Sequence, residues 1–267
     1  MSLVNLTTRK QVRSVRNLSF CYICGEPFDA EEVANFDHVP PETIFVEQDR
    51  DFPLKLKTHK DPCHSNLNLD DEVIGQLVSF IHGKQPPVRN DKLKIDLYKE
   101  AENNNFLASF SQKPLEPLIF RWVKGFHAAL YHTHIPESTR YNIQTPWPSA
   151  VIKDNNLVED PIKNQHYVFV ENIKRNRVAG NLDRIGTNNG KLIYECVWDR
   201  LSDNSWFCVF ALNLYDWKDL GDVNNFQSRG CAGCYRLPSG LAPLNASLAT
   251  NLHFDIKNVD KADPFSL

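Results

Sequence analysis

CYICGEPF at residues 21–28, NFDHVPPETIF at 35–45 and LKTHKDPCHSN at 56–66 carry two interleaved sets of chemically demanding side chains. Cys21 and Cys24 form a Cys-x-x-Cys knuckle, whose two thiolates can turn back onto one tetrahedral ion. His59 and Cys63 supply a second close pair, which completes a Cys3His set shortly before an expected helix. That split arrangement suits a structural zinc, and Gly25 at the knuckle's turn suits a tight coordinating loop. A zinc bound by both halves would close residues 21–63 into a small finger.

Between the halves lie Asp37 and His38, a carboxylate and an imidazole side by side just before Pro40-Pro41. His64 follows ligand Cys63 directly. A carboxylate and an imidazole from different elements can hold one divalent ion, with water and phosphate oxygens completing its shell. The neighbouring His38, with an unperturbed pKa of about 6.5, could then take a proton from water. Without the zinc frame, Asp37 and His38 would read as a turn carboxylate and a space-filling ring.

The order Cys-x-x-Cys, Asp-His-x-Pro, then a zinc-ligand pair followed at once by His resembles the HNH endonucleases, over residues 18–83. The resemblance implies a ββα-metal finger. It assigns Asp37 and His64 to a catalytic Mg2+ or Mn2+, His38 to general-base work, and Cys21, Cys24, His59 and Cys63 to zinc. Two departures stand out. His59-x-x-x-Cys63 replaces the commoner Cys-x-x-Cys, and Phe52-Pro53-Leu54 occupies about the place of the family's central Asn. Asn66 is a lesser candidate near the ion.

Outward from the finger, residues 1–20 read as a basic arm or short helix with Arg9, Lys10, Arg13 and Arg16 and no acidic residue. Lys55 and Lys57 would share one face of an extended segment, where they could meet phosphates. A turn or short helix is expected around Ala30 to Ala34. Asp70, Asp71 and Glu72, followed by Val73, Leu77, Phe80 and Ile81 at helical spacing, predict a helix that stops at Gly83. GKQPPVRNDK at 83–92 has the composition of a linker. The expected division is therefore an N-terminal nuclease module over 1–85 and a C-terminal α+β part over 93–267.

In that second part Leu93 to Phe110 and Leu115 to Tyr131 read as helices. Tyr167 to Val170, Leu192 to Val197 and Trp206 to Leu212 read as strands rich in aromatic and β-branched residues. His127, His132 and His134 fit an amphipathic helix and the turn after it better than a metal site. Cys231 and Cys234 read as ordinary loop cysteines. Trp198, Trp206, Trp217 and Tyr215 are expected in the core, and the C-terminal NVDKADPFSL is expected to be loose.

Composition narrows the class. The 267 residues are 42% hydrophobic and 24% charged, and no apolar run approaches the roughly 20 residues that cross a bilayer. The seven cysteines and the absence of a secretory leader point to a reducing, cytoplasmic setting in which cysteines bind metal. Residues 1–90 hold 10 basic against 13 acidic side chains, so strong nonspecific DNA binding is not written in the bulk charge. The sequence predicts an α+β protein with an N-terminal zinc-stabilised finger that hydrolyses phosphodiester bonds in DNA, in a defence or mobile-element setting by family association. RNA as substrate, or a non-catalytic zinc module that only binds nucleic acid or a protein, are the rivals.

Overall fold

The computed structural model describes residues 3–29, 34–65, 71, 75, 95–99, 106–110, 115–144, 152–153, 156–157, 161–215, 230–249 and 252. The helix expected over 70–81, the turn at Ala30 to Ala34, the linker at 83–92, Trp217 and the C-terminal NVDKADPFSL lie wholly or largely outside them. Asp71 and Gly75 are both helical.

The fold is α+β. Its centre is a six-stranded sheet in the order β1 (Leu3–Asn5), β9 (Asp183–Thr187), β10 (Leu192–Arg200), β11 (Trp206–Leu214), β12 (Gly230–Leu237) and β6 (Arg140–Gln144). Pairing is antiparallel except where β1 lies parallel to β9, with Val4 opposite Ile185. The N-terminal arm therefore adds an edge strand to a sheet built almost entirely from the second half of the chain.

The alternation of side chains along β10 to β12 feeds two cores. Tyr194, Cys196, Trp198, Cys208, Phe210, Leu212 and Tyr235 point to the face covered by α2 (Leu115–Tyr131). Val197, Phe207, Val209, Ala211, Ala232 and Cys234 point to the face covered by α3 (Pro161–Ala179). A sheet covered on both sides needs apolar residues on both sides, which is why these strands read as nearly continuous hydrophobic runs.

The α2 helix is buried nearly all round because the finger packs on its outer side. One cluster joins Tyr22, Val39, Leu54 and Leu56 of the finger to Val123 and Phe126 of the helix and Tyr194 of the sheet. Gly125 permits the close approach, since a Cβ there would come within 2.5 Å of the Val39 side chain. Loop 46–52 is tied to the sheet as well: Asn188 Nδ2 donates to the Asp49 carbonyl at 3.0 Å, and the Val46 N–H donates to the Tyr215 hydroxyl at 3.2 Å.

Three local expectations are corrected. Leu93 to Phe110 is not a helix; Ile95–Lys99 (β4) and Phe106–Phe110 (β5) pair antiparallel. The alternation of Ile95 and Leu97 with polar neighbours suits a strand. Tyr167 to Val170 is part of α3, where Phe169, Asn172, Ile173 and Asn176 are buried at helical spacing. Packing of that stripe on the sheet overrides the local β preference of YVFV. Cys231 and Cys234 belong to β12 and not to a loop; three residues apart in a strand, they face opposite cores.

The remaining short strands are β2 (Asn35–His38), β3 (Lys55–Thr58), β7 (Ile152–Lys153) and β8 (Asn156–Leu157), and α1 spans Arg9–Arg16. Trp198 is fully buried and Tyr215 is 6% exposed, both within the core as expected. Among the described residues, no helix is long and apolar enough to cross a membrane.

Candidate functional site

The knuckle is a miniature hairpin. Cys21 N–H donates to the Glu26 carbonyl at 2.9 Å and Gly25 N–H returns to the Cys21 carbonyl at 2.8 Å, which turns both thiols to the same side. Gly25 has φ of +83°, and a Cβ on it would lie 2.3 Å from the His134 ring. The position accepts only glycine without strain.

Cys21, Cys24, His59 and Cys63 bring one ligand atom each to within 4.8 Å of one another. His59 Nδ1 lies 3.3 Å from Cys24 Sγ, and Nε2 faces the Pro27 carbonyl at 3.4 Å. A proton on Nε2 donated to that carbonyl leaves the Nδ1 lone pair for a metal, the usual support for a ligating imidazole. Burial first, and then the crowding of the other thiols, pushes the Cys63 proton affinity far up. A divalent ion relieves that crowding, because coordinated thiols are deprotonated. Lys124 of α2 senses the same group: burial pulls its pKa down, while Glu137 and the three cysteines pull it up. The donor set and its arrangement suit zinc.

β2 and β3 form the hairpin between the two ligand pairs, with Phe36 opposite Lys57, Asp37 opposite Leu56 and His38 opposite Lys55. Strand alternation therefore separates Asp37 from His38. Asp37 turns inward with Leu56 and is 3% exposed. Its Oδ2 accepts a hydrogen bond from the buried Tyr22 hydroxyl. The Arg121 guanidinium pairs with Asp71 and also feels Asp37 and Tyr22; burial lowers its proton affinity and the three acidic groups more than offset this. Burial, then the Asp37 charge, holds the Tyr22 hydroxyl well above the ordinary phenol range.

His38 turns outward, half-buried, with Nε2 2.7 Å from Glu42 Oε1. Lys55 Nζ is 4.0 Å from the same oxygen. Burial pushes the His38 pKa below its ordinary value against the upward pull of Glu42, so the ring is neutral at neutral pH. The two groups are close enough to pair electrostatically, but Nε2 is not aligned for a hydrogen bond.

His64 ends the turn over Lys60–His64, which packs against β2; the residue is half-buried and its N–H donates to the His59 carbonyl at 3.1 Å. Asn66 lies outside the described residues. Apart from the Cys3His set, no three His, Cys, Asp or Glu side chains among the described residues converge closely enough to hold an ion. Arg9, Lys10 and Arg13 are exposed on α1, while Arg16 is half-buried, with Cζ 5.7 Å from the Phe36 ring centroid. Lys55 and Lys57 share the outer face with His38. His127 is buried between the hydroxyls of Tyr235 and Thr133, at 2.9 Å from each, and serves the core.

Glu42, Tyr22 and Arg121 did not stand out in the sequence. Glu42 had a usable signal, its place one turn after His38 in the short helix Glu42–Ile44 that follows Pro40-Pro41. Arg121 had none, since its pairing with Asp71 crosses 50 residues of chain. Comparison with protein-family models, with curated proteins and with solved structures finds no match to this chain.

Proposed function

We propose that the chain hydrolyses phosphodiester bonds in DNA at the outer face of its zinc-braced hairpin, with His38 as general base. The observation that supports this reading most is the His38–Glu42 contact of 2.7 Å on a face shared with Lys55 and Lys57. A neutral imidazole beside a carboxylate that stabilises its protonated form suits a general base. The attacking water gives one proton to the unprotonated ring nitrogen of His38 as its oxygen bonds to phosphorus; the P–O bond to the leaving oxygen breaks, and that oxygen takes a proton from solvent. Lys55 and Lys57 hold the phosphate's charge in place.

The catalytic divalent ion implied by the HNH resemblance would fall to Asp37 and His64. Asp37 does not fit that part here. It is buried on the face opposite His38, its Oδ2 is taken by Tyr22, and Arg121 lies beside it, whereas Mg2+ keeps several of its waters and needs an open carboxylate. No step is therefore routed through an ion. This same burial favours a second reading, in which the finger is a zinc-braced nucleic-acid-binding module and Asp37 only supports its packing.

Supercoiled plasmid and a single-stranded circular DNA separate the two. Without added divalent ion, and again with Mg2+ or Mn2+, the parent protein cuts DNA and His38→Ala, with zinc retained, does not. Equal cutting by His38→Ala would remove the base assignment, and no cutting of either DNA by either protein in any of these conditions would leave the binding module. Structured RNA in a parallel arm distinguishes an RNA-directed enzyme.

A further inference from the structure

We propose that the outer face of the β2–β3 hairpin binds single-stranded nucleic acid, with an unpaired base stacked on Phe36. The inference rests on the reading that this face handles nucleic acid, and it narrows the substrate class. Phe36 is 42% exposed, the one aromatic among the large hydrophobic residues described as exposed. It is not covered by the core that takes its neighbours Asp37 and Leu56.

Among the described residues, the charged groups next to the ring and its strand partner are cationic. Arg16 Cζ stands 5.7 Å from its centroid, Lys57 is its cross-strand partner, and Lys57 Nζ lies 5.8 Å from the ring of Phe28. Arg9, Lys10 and Arg13 continue the positive charge along α1, which packs against β3. Glu42, against His38 and Lys55, is the carboxylate at the far end. An exposed aromatic with a guanidinium beside it and a lysine as its cross-strand partner complements a polyanion carrying flat bases, not an apolar protein surface.

Base pairing and stacking in a duplex cover the base faces, so a ring fixed on a strand can stack only on a base already free. Along β2, His38 follows Phe36 by two residues and shares its face, about 7 Å further on. A base on Phe36 therefore brings its own backbone to Lys57 and an adjacent phosphodiester toward His38. The ring selects an unstacked nucleotide and leaves the sequence unread.

Binding of fluorescein-labelled oligothymidylate, oligouridylate and a duplex of equal length is measured by anisotropy in the full-length His38→Ala protein, so that cleavage plays no part. Both single strands are expected to bind more tightly than the duplex, and adding Phe36→Ala should weaken them by roughly 5- to 150-fold while changing duplex binding little. Phe36→Trp keeps the ring and should retain binding. A preference for oligothymidylate or oligouridylate identifies the natural sugar. The proposal is overturned if no oligonucleotide binds, if the duplex binds as tightly as the single strands, or if Phe36→Ala with its zinc intact binds them like the parent. A nuclease with unchanged single-strand binding in Phe36→Ala sinks this inference alone, and binding without hydrolysis sinks the enzymatic reading alone.

Discussion

The hydroxyl of Tyr22, on the zinc knuckle, hydrogen-bonds Oδ2 of Asp37 on β2, and both side chains are shut away from solvent. The contact couples the knuckle to the β2–β3 hairpin beneath the Cys3His set, and Arg121 of α2 pairs with Asp71 and feels the charge of Asp37. Tyr22→Phe removes a donor to a buried carboxylate without changing the ring's volume. It should cost about 1.5–3 kcal/mol in urea unfolding while zinc content stays at one per chain. Asp37→Ala leaves the buried Tyr22 hydroxyl without its acceptor and should cost about 1–3 kcal/mol. A loss below about 0.5 kcal/mol in both variants would mean that this buried group does not hold the finger.

Metal removal tests the other brace. The four ligands come from two segments, at 21–24 and 59–63, so an ion held by all four would tie one to the other. Structural zinc in comparable small sites contributes about 10–16 kcal/mol of apparent binding free energy. Elemental analysis should find one zinc per chain, and a strong chelator should lower the Tm and expose Tyr22 and Leu54. Cys63→Ser should release the metal at lower chelator concentration than the parent. An unchanged Tm after complete zinc extraction would show that the core on α2 carries the finger alone.

The Cys3His set was legible because its signals are local: Cys-x-x-Cys and the second ligand pair each sit within a few residues. Strands β10 and β11 and helix α2 were legible for the same reason, as long apolar patterns of one period. The hairpin at 95–110 and helix α3 were not, because short runs such as YVFV suit either state until a sheet face selects the helical stripe. Pairing of Val4 with Ile185 left no trace in either segment, since a parallel edge contact across most of the chain has no sequence period. The separation of Asp37 from His38 onto opposite faces was implicit in strand alternation, yet which of the two turns inward is decided by Tyr22 and Arg121.

Gly25 offers a test of the knuckle's geometry independent of metal ligands. Gly25→Ala forces a Cβ into positive φ, at about 1–2 kcal/mol, and also drives it into the His134 ring. The double variant with His134→Ala should remove the collision and leave only the backbone cost. A double-mutant cycle read by urea unfolding should therefore show coupling of 0.5 kcal/mol or more, on the order expected for residues in contact. Additive losses would place His134 away from the knuckle.

His127 should make the protein acid-sensitive well above the carboxylate range. Burial, reinforced by the nearby His134, lowers its pKa from 6.5 to about 3. Between those values the unfolded chain takes up a proton that the folded chain refuses, so stability falls as pH falls. The contribution is fully present above about pH 6.5 and is lost progressively toward about pH 3, at about 1.4 kcal/mol per pH unit. His127→Gln keeps polar atoms near Tyr235 and Thr133 but cannot titrate. Its stability, followed by urea midpoints from pH 7 to 4, should decline less steeply than the parent's by about that slope, and parallel declines would show that His127 is protonated in the native core.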